Sequence, residues 1–167
     1  EKLAAGRSKI HGDGVFTTAR IAAGEKLMEF GGEYITRDKA FSEAYRSKSV
    51  WPVGENHYIA LPRSSTLESL DENLNHSCDA NAWLEDEVTL VARREVGAGE
   101  EVTLDQGTWN FEDEAYTDDN EACRCGTKEC RHELTKDDWR RPDVQERYTG
   151  HFHPIIQARI ASQNAEL

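Results

Sequence analysis

The chain has 167 residues, of which 20 are Lys or Arg and 32 are Asp or Glu, so its formal net charge is −12 at pH 7. That length suits one domain, and the charge argues against nucleic acid as a partner, because phosphate binding rests on clustered cations; a basic peptide or protein is attracted instead. No apolar run approaches the ~18 residues of a membrane helix and the first residues lack a signal-peptide core, so the expectation is a soluble, intracellular protein with no membrane partner.

In chain order, Ile10-His11-Gly12-Asp13-Gly14-Val15-Phe16 and then Ile21 to Gly32 place short apolar runs between glycines, the pattern of short strands and turns. Thr36 to Ser47 has a cap-like Thr36 and apolar Ala40, Phe41, Ala44 and Tyr45, which predicts one short helix. Tyr58 to Leu61, Trp83-Leu84, Val88 to Ala92 and Glu101 to Leu104 read as further strands. Glu112 to Glu121 carries six acids in ten residues and reads as an exposed loop, either a solvated connector or an attractor of cationic substrate. From Leu134 the pattern turns helical, with Thr135-Lys136-Asp137-Asp138 as a cap, Pro142 opening a turn, and apolar Ile155, Ile156 and Ile160. The expected organisation is a mainly β body over 1–110, a cysteine-bearing segment over 111–134 and a helical extension over 135–167. The aromatic- and His-rich stretches of that extension, including His151 and His153, are expected to pack on the body. The oligomeric state stays open.

Three of the four cysteines form Cys123-Arg124-Cys125-Gly126-Thr127-Lys128-Glu129-Cys130, a C-x-C-x4-C cluster, and the fourth, Cys78, lies in Asn75-His76-Ser77-Cys78. A disulfide between Cys123 and Cys125 would close a very tight ring. Four sulfurs suit one tetrahedral structural Zn²⁺ better, and the candidate ligands are Cys78, Cys123, Cys125 and Cys130. Two disulfides are the competing reading.

Five blocks carry a resemblance in their order: Ser8 to Phe16, Glu29-Phe30-Gly31-Gly32-Glu33-Tyr34-Ile35, Asn75-His76-Ser77-Cys78-Asp79-Ala80-Asn81, Gly99-Glu100-Glu101-Val102-Thr103-Leu104-Asp105, and the cysteine cluster. Together they resemble the SET domain of protein-lysine methyltransferases followed by a post-SET zinc segment. The resemblance spans roughly residues 6–134. It implies a SET fold of small β-sheets with a knot-like chain crossing, where the Asn75–Cys78 segment meets the strand ending near Asp105. It also implies S-adenosylmethionine on one side of the crossing and a target lysine on the other. Carried over by position, Ile10, His11, Gly12, Asp13, Gly14 and Val15 would touch the cofactor's methionine end through the backbone, and Asn75 and His76 would hold its amino and adenine ends. Asn75 and His76 also read as a polar pair bracing the crossing.

The chain departs from the family pattern where catalysis is expected. Gln106 follows Asp105 in place of a tyrosine, Phe30 replaces a second tyrosine, Glu72 and Asn73 replace an arginine and an aromatic, and Ala80 replaces a proline. Gln106 and Phe30 are therefore the candidate catalytic positions, with Tyr58 as a candidate source of the missing hydroxyl. Tyr34, Tyr116, Trp109 and Phe111 are further aromatics available to wall the channel. The resemblance implies a protein-lysine N-methyltransferase acting on a basic, histone-like protein or peptide. The alternative is a SET-like module that binds cofactor or peptide with weak or no turnover because of Gln106. A zinc-braced interaction protein without cofactor is the third reading.

Overall fold

The computed structural model describes residues 2–45, 49–67, 69–111 and 122–165. Ten short strands form: β1 (Leu3–Arg7), β2 (Asp13–Thr17), β3 (Lys26–Glu29), β4 (Glu33–Thr36), β5 (Val50–Gly54), β6 (His57–Ala60), β7 (Asn75–His76), β8 (Ala82–Leu84), β9 (Thr89–Ala92) and β10 (Glu101–Leu104). Three helices accompany them: α1 (Arg37–Ala40), α2 (Pro142–Arg147) and α3 (Pro154–Ala165). The strands make three small sheets, in the orders β1-β2-β10-β7, β3-β9-β8 and β4-β6-β5. This is the mainly β fold expected.

The sheets enclose a core built from the inward residues of several strands: Val15, Phe30, Trp51, Leu84, Leu90, Val102 and Leu104 are all buried. All four residues of β9 are buried, which explains its continuous apolar run. In β2, Asp13 is exposed, Gly14, Val15 and Thr17 are buried, and Phe16 is half-buried.

One expectation changes, and two strands form where the sequence reading named none. Among the described residues, the helix predicted over 36–47 is only the single turn α1; Ser42 and Tyr45 then make i→i−3 turn bonds, and the Ser42 hydroxyl bonds back to the Lys39 carbonyl. A serine competing for the backbone, and burial of Tyr45 with Ile35 and Val50, override weak helix propensity. β1, rich in Ala and Gly, is a strand because its five residues pair one to one with β2, although its composition gives no strand signal. β5 carries Pro52 in its middle, tolerated because it is an edge strand of its sheet.

The helical tail forms as expected, with Pro142 at the start of α2. Trp139, Val144, Tyr148, Phe152, Ile156 and Ile160 build a second core with Ala80 and Phe111. His151 stacks on Trp83, ring centroids 3.5 Å apart, and His153 meets the Pro52 carbonyl at 3.0 Å. The two histidines are thus used in packing. The acidic stretch 112–121 lies outside the described residues. Among the described residues, no helix is long and apolar enough to cross a membrane.

Candidate functional site

The site grows from one short parallel pairing. β10 runs beside β7 with Thr103 opposite Asn75 and Leu104 opposite His76, so the Asn75–Cys78 segment meets the strand that ends at Asp105. Strands this far apart in sequence pair in parallel only when the chain crosses over between them.

On one side of this crossing, the Asn75 amide donates to the carbonyls of His11 and Asp13, both at 3.0 Å, and to the Glu101 carboxylate at 2.8 Å. The Ser8 hydroxyl donates to the same carboxylate, 2.8 and 2.9 Å from its two oxygens, and accepts the Ile10 N–H at 2.9 Å. Glu101 and Asn75 therefore tie down the whole Ser8–Asp13 turn. A Cβ at Gly14 would lie 2.3 Å from the Glu101 carboxylate, so a side chain there would displace that carboxylate from Ser8 and Asn75.

Behind the crossing, the His76 ring accepts the Gln106 N–H at Nδ1, 3.1 Å away, and its Nε2 lies 3.2 Å from the Cys78 sulfur. Burial holds His76 down at about pKa 4, so the ring is neutral at pH 7. Asp105 takes a two-pronged ion pair from Arg131, at 2.8 and 2.6 Å. Arg131 also reaches Asp138 at 2.8 Å, and all three side chains are nearly inaccessible. This network bolts the end of β10 to the cysteine segment and the tail.

The sulfurs of Cys78, Cys123, Cys125 and Cys130 lie within 4.8 Å of one another, and none is in a disulfide. Cys78 and Cys123 sulfurs are 3.7 Å apart, close to the roughly 3.8 Å edge of a tetrahedron of sulfurs at ~2.3 Å from zinc. The donor set therefore fits one structural Zn²⁺, and the disulfide reading does not match the spacing. Gly126, at φ +69, lets the chain turn back between Cys125 and Cys130. Burial pushes the Cys78 thiol up to about 12; it acts upward on Cys125 too, but the Thr127 hydroxyl at 3.3 Å and backbone hydrogen bonds outweigh it and bring Cys125 down to about 6.

Two cavities of about 170 Å³ flank the crossing. The first is walled by Ile10, His11, Asn75, His76, Arg124 and Leu134, a mixed polar and apolar lining whose chemistry suits a ligand with a charged amino-acid end and a less polar body, as S-adenosylmethionine has. The second is walled by Phe30, Trp51, Trp109, Asp71, Glu72 and Leu104. Leu74 and Gln106 line both. The Gln106 side-chain oxygen is buried and has no hydrogen-bond partner among the described residues.

The structure brings most of the expected residues together. Ile10, His11, Asn75 and His76 line the first cavity, Gly12, Asp13 and Gly14 shape the turn behind it, and Val15 is fully buried in the core. Gln106 and Phe30 line the second cavity. Tyr58 lines neither: it is fully buried in the small core beneath β4 and β6, its ring edge-on to Phe41. Tyr34 is exposed, Phe111 belongs to the tail core, and Tyr116 lies outside the described residues. Sequence reasoning missed Trp51, Asp71 and Arg131, and it named Ser8 within the first block without giving it a role. Only Arg131 had a signal, its place next to Cys130; the others are brought in by distant pairing.

The family model for the SET domain matches residues 12–107, more than half of the chain. Over 142 residues the chain is 31% identical to the histone-lysine N-methyltransferase trithorax of Drosophila virilis, covering 77% of this chain and 3% of that protein. Over 146 residues it is 27% identical to the histone-lysine N-methyltransferase ATX2 of Arabidopsis thaliana, covering 78% and 13%. Over 148 residues it is 28% identical to the human histone-lysine N-methyltransferase SETD1A, covering 80% and 8%. The chain thus spans a small part of the length of the curated relatives it matches. Among solved structures, a polycomb repressive complex 2 from Chaetomium thermophilum bound to the inhibitor GSK126 superposes with a TM-score of 0.53 at 21% identity, covering 63% of this chain and 16% of that one. A ctPRC2 in an autoinhibited conformation bound to S-adenosylmethionine does so with a TM-score of 0.53 at 20% identity, covering 64% and 15%. With the matched segment running from the Gly12 turn through the β7–β10 crossing to Gly107, this chain belongs to the SET-domain family.

Proposed function

We propose that this chain is an S-adenosylmethionine-dependent protein-lysine N-methyltransferase module acting on a basic, histone-like protein or peptide. The observation that carries this reading is that two cavities share Leu74 and Gln106 as a common wall. One would take the cofactor beside the Ser8–Asp13 turn and the other the lysine side chain. S-adenosylmethionine, when bound, supplies the sulfonium methyl group.

Transfer needs a neutral amine, and at pH 7 deprotonating a free lysine costs about 4.6 kcal/mol. The aromatic walls of the second cavity lower that cost for an amine inside it, while Asp71 and Glu72 in the same lining work against it. The Gln106 oxygen, buried and without a described partner, would accept an N–H of the amine and aim the nitrogen lone pair along the shared wall. Its backbone is held by His76, and Asp105 before it is held by Arg131. Cys78, Cys123, Cys125 and Cys130 would hold a zinc ion that keeps the cysteine segment against the first cavity; Cys123 itself lines that cavity. The histone-lysine methyltransferase names of the relatives, and the charge of −12, support a basic substrate.

The test is incubation of the zinc-loaded chain with methyl-labelled S-adenosylmethionine and a mixture of basic proteins and histones. Label on lysine, lowered about 10²–10³-fold in Gln106→Ala, is the expected result. Absence of heat on calorimetric titration with S-adenosylmethionine at millimolar concentration would overturn it. Cofactor binding without transfer would instead select the second reading, a SET-like binding module. The absence of any tyrosine from both cavities, among the described residues, favours that reading.

A further inference from the structure

The cysteine cluster and the turn that carries Gln106 are joined by two chains of hydrogen bonds that start at one sulfur. Gln106 and Gly107 open the short turn Gln106–Thr108, and N–H groups at such a start have no partner within the turn. Both are taken from outside: the Gln106 N–H donates to His76 Nδ1 at 3.1 Å, and the Gly107 N–H donates to the Asp105 carboxylate at 2.8 Å. His76 Nε2 lies 3.2 Å from the Cys78 sulfur. Asp105 is held by the Arg131 guanidinium, and the Arg131 backbone N–H donates to that same sulfur at 3.3 Å. We propose that His76 is a positioning residue locked in its Nε2–H form, through which a metal held by Cys78 fixes Gln106 at the wall shared by the two cavities.

The tautomer follows from the groups around the ring. Nδ1 receives an N–H, so it presents a lone pair, and the imidazole then bears its proton on Nε2. The reverse form would set Nδ1–H against the Gln106 N–H and gain no acceptor. Asp105 Oδ1 is 3.8 Å from Nδ1, beyond hydrogen-bond reach, and already takes N–H groups of Arg131 and Gly107. The Nε2–H therefore points at Cys78. A metal-bound cysteine is a thiolate, a stronger acceptor than a thiol, so metal binding tightens this bond, and the bond in turn stabilises the charge that binds the metal. The ring has little freedom to turn away, since the His76 backbone pairs with Leu104 and its side chain is only 8% exposed. The link stands on this geometry alone; its consequence for methyl transfer rests on the assignment of Gln106 to the lysine amine.

NMR of the chain carrying nitrogen-labelled histidine and loaded with spin-active cadmium tests this without any variant. The expected spectrum has the His76 ring protonated at Nε2 and not at Nδ1, with a coupling between that proton and cadmium across the sulfur. Two variants then divide the roles of the ring. His76→Asn can place an oxygen where Nδ1 lies and keep the bond to Gln106, whereas His76→Gln can place an N–H where Nε2 lies and keep the bond to Cys78. Zinc affinity, read by competition with a chromophoric chelator, should fall about tenfold in His76→Asn and stay close to the parent in His76→Gln. Amide exchange at Gln106 should rise about tenfold on chelation of the parent, and equally in metal-loaded His76→Gln. Methyl transfer by zinc-loaded His76→Gln should fall about tenfold. A proton on Nδ1, no coupling to cadmium, zinc affinity unmoved in His76→Asn, or Gln106 exchange indifferent to chelation overturns the proposal. Should a variant not fold, the ring spectrum and the chelation response of the parent decide. A chain that shows the link but transfers no methyl group loses only the methyltransferase reading, and one that transfers methyl groups with its proton on Nδ1 loses only the link.

Discussion

Arg131 is where charge and position are most tightly coupled. Its guanidinium meets both oxygens of Asp105 and one of Asp138, with all three groups buried. Removing the cation leaves two desolvated carboxylates facing each other, so Arg131→Ala should cost about 3–5 kcal/mol, a fall in Tm of roughly 10 °C for a chain of this size. Scanning calorimetry of the zinc-loaded protein checks this, and a loss under about 1 kcal/mol would show that the pairs are solvated. Asn75 is different in kind, because its three hydrogen bonds hold the turn at the first cavity. Asn75→Ala should weaken S-adenosylmethionine binding about tenfold or more, at roughly 1–3 kcal/mol for the lost bonds, as measured by calorimetric titration. An unchanged affinity would mean that the turn keeps its shape without Asn75.

At the scale of elements, the cysteine segment has little apolar surface to hold it. Among the described residues, its polar links to the body are the Cys78 sulfur, the Arg131 pairs and the Glu129–Arg147 ion pair at 3.0 Å. Zinc binding should therefore supply most of its order. One zinc per chain is expected by elemental analysis, and chelation should raise amide exchange over 122–134 and at the rim of the first cavity while the β3-β9-β8 sheet stays protected. Since the ligands must be thiolates, zinc should be released as pH falls. Protection unchanged by chelation would show that the segment stands without the ion.

For the whole molecule, the tail is a structural part of the fold with its own core, and His153 is its clasp. The buried ring reaches the Pro52 carbonyl with Nε2, accepts the Ile155 N–H with Nδ1, and its backbone N–H donates to Thr108. Burial lowers its pKa from 6.5, so the folded state holds the neutral ring. Stability from this residue is complete above pH 6.5, and is lost as pH falls from there toward the depressed value, because the unfolded chain takes up the proton first. Urea unfolding at pH 7.5 and 5.5 should show a smaller acid loss in His153→Gln than in the parent at equal zinc loading. Equal losses would assign the acid sensitivity to other groups.

The residue order of Asn75 to Cys78, Gly99 to Asp105 and the cysteine cluster pointed by itself to the fold class and to the four clustered sulfurs, and these motifs supply Asn75, His76, Cys123 and Arg124 of the first cavity's lining. Such motifs demand particular residue types at fixed spacings, and spacing is written along the chain. The strand at Leu3–Arg7, the unravelled end of the 36–47 helix, and the aromatic cavity depended on tertiary structure. Ala and Gly become a strand only when β2 offers its edge, and Tyr45 leaves the helix only because a core is there to receive it. Trp51 and Trp109 are 58 positions apart in the chain and become one wall only after three sheets close around a shared core. Tyr58 carried the hydroxyl that the pattern lacked, yet alternation along β6 turned it into the core, because in a strand the side-chain period decides which face a residue occupies and sequence alone does not say which face is the cavity.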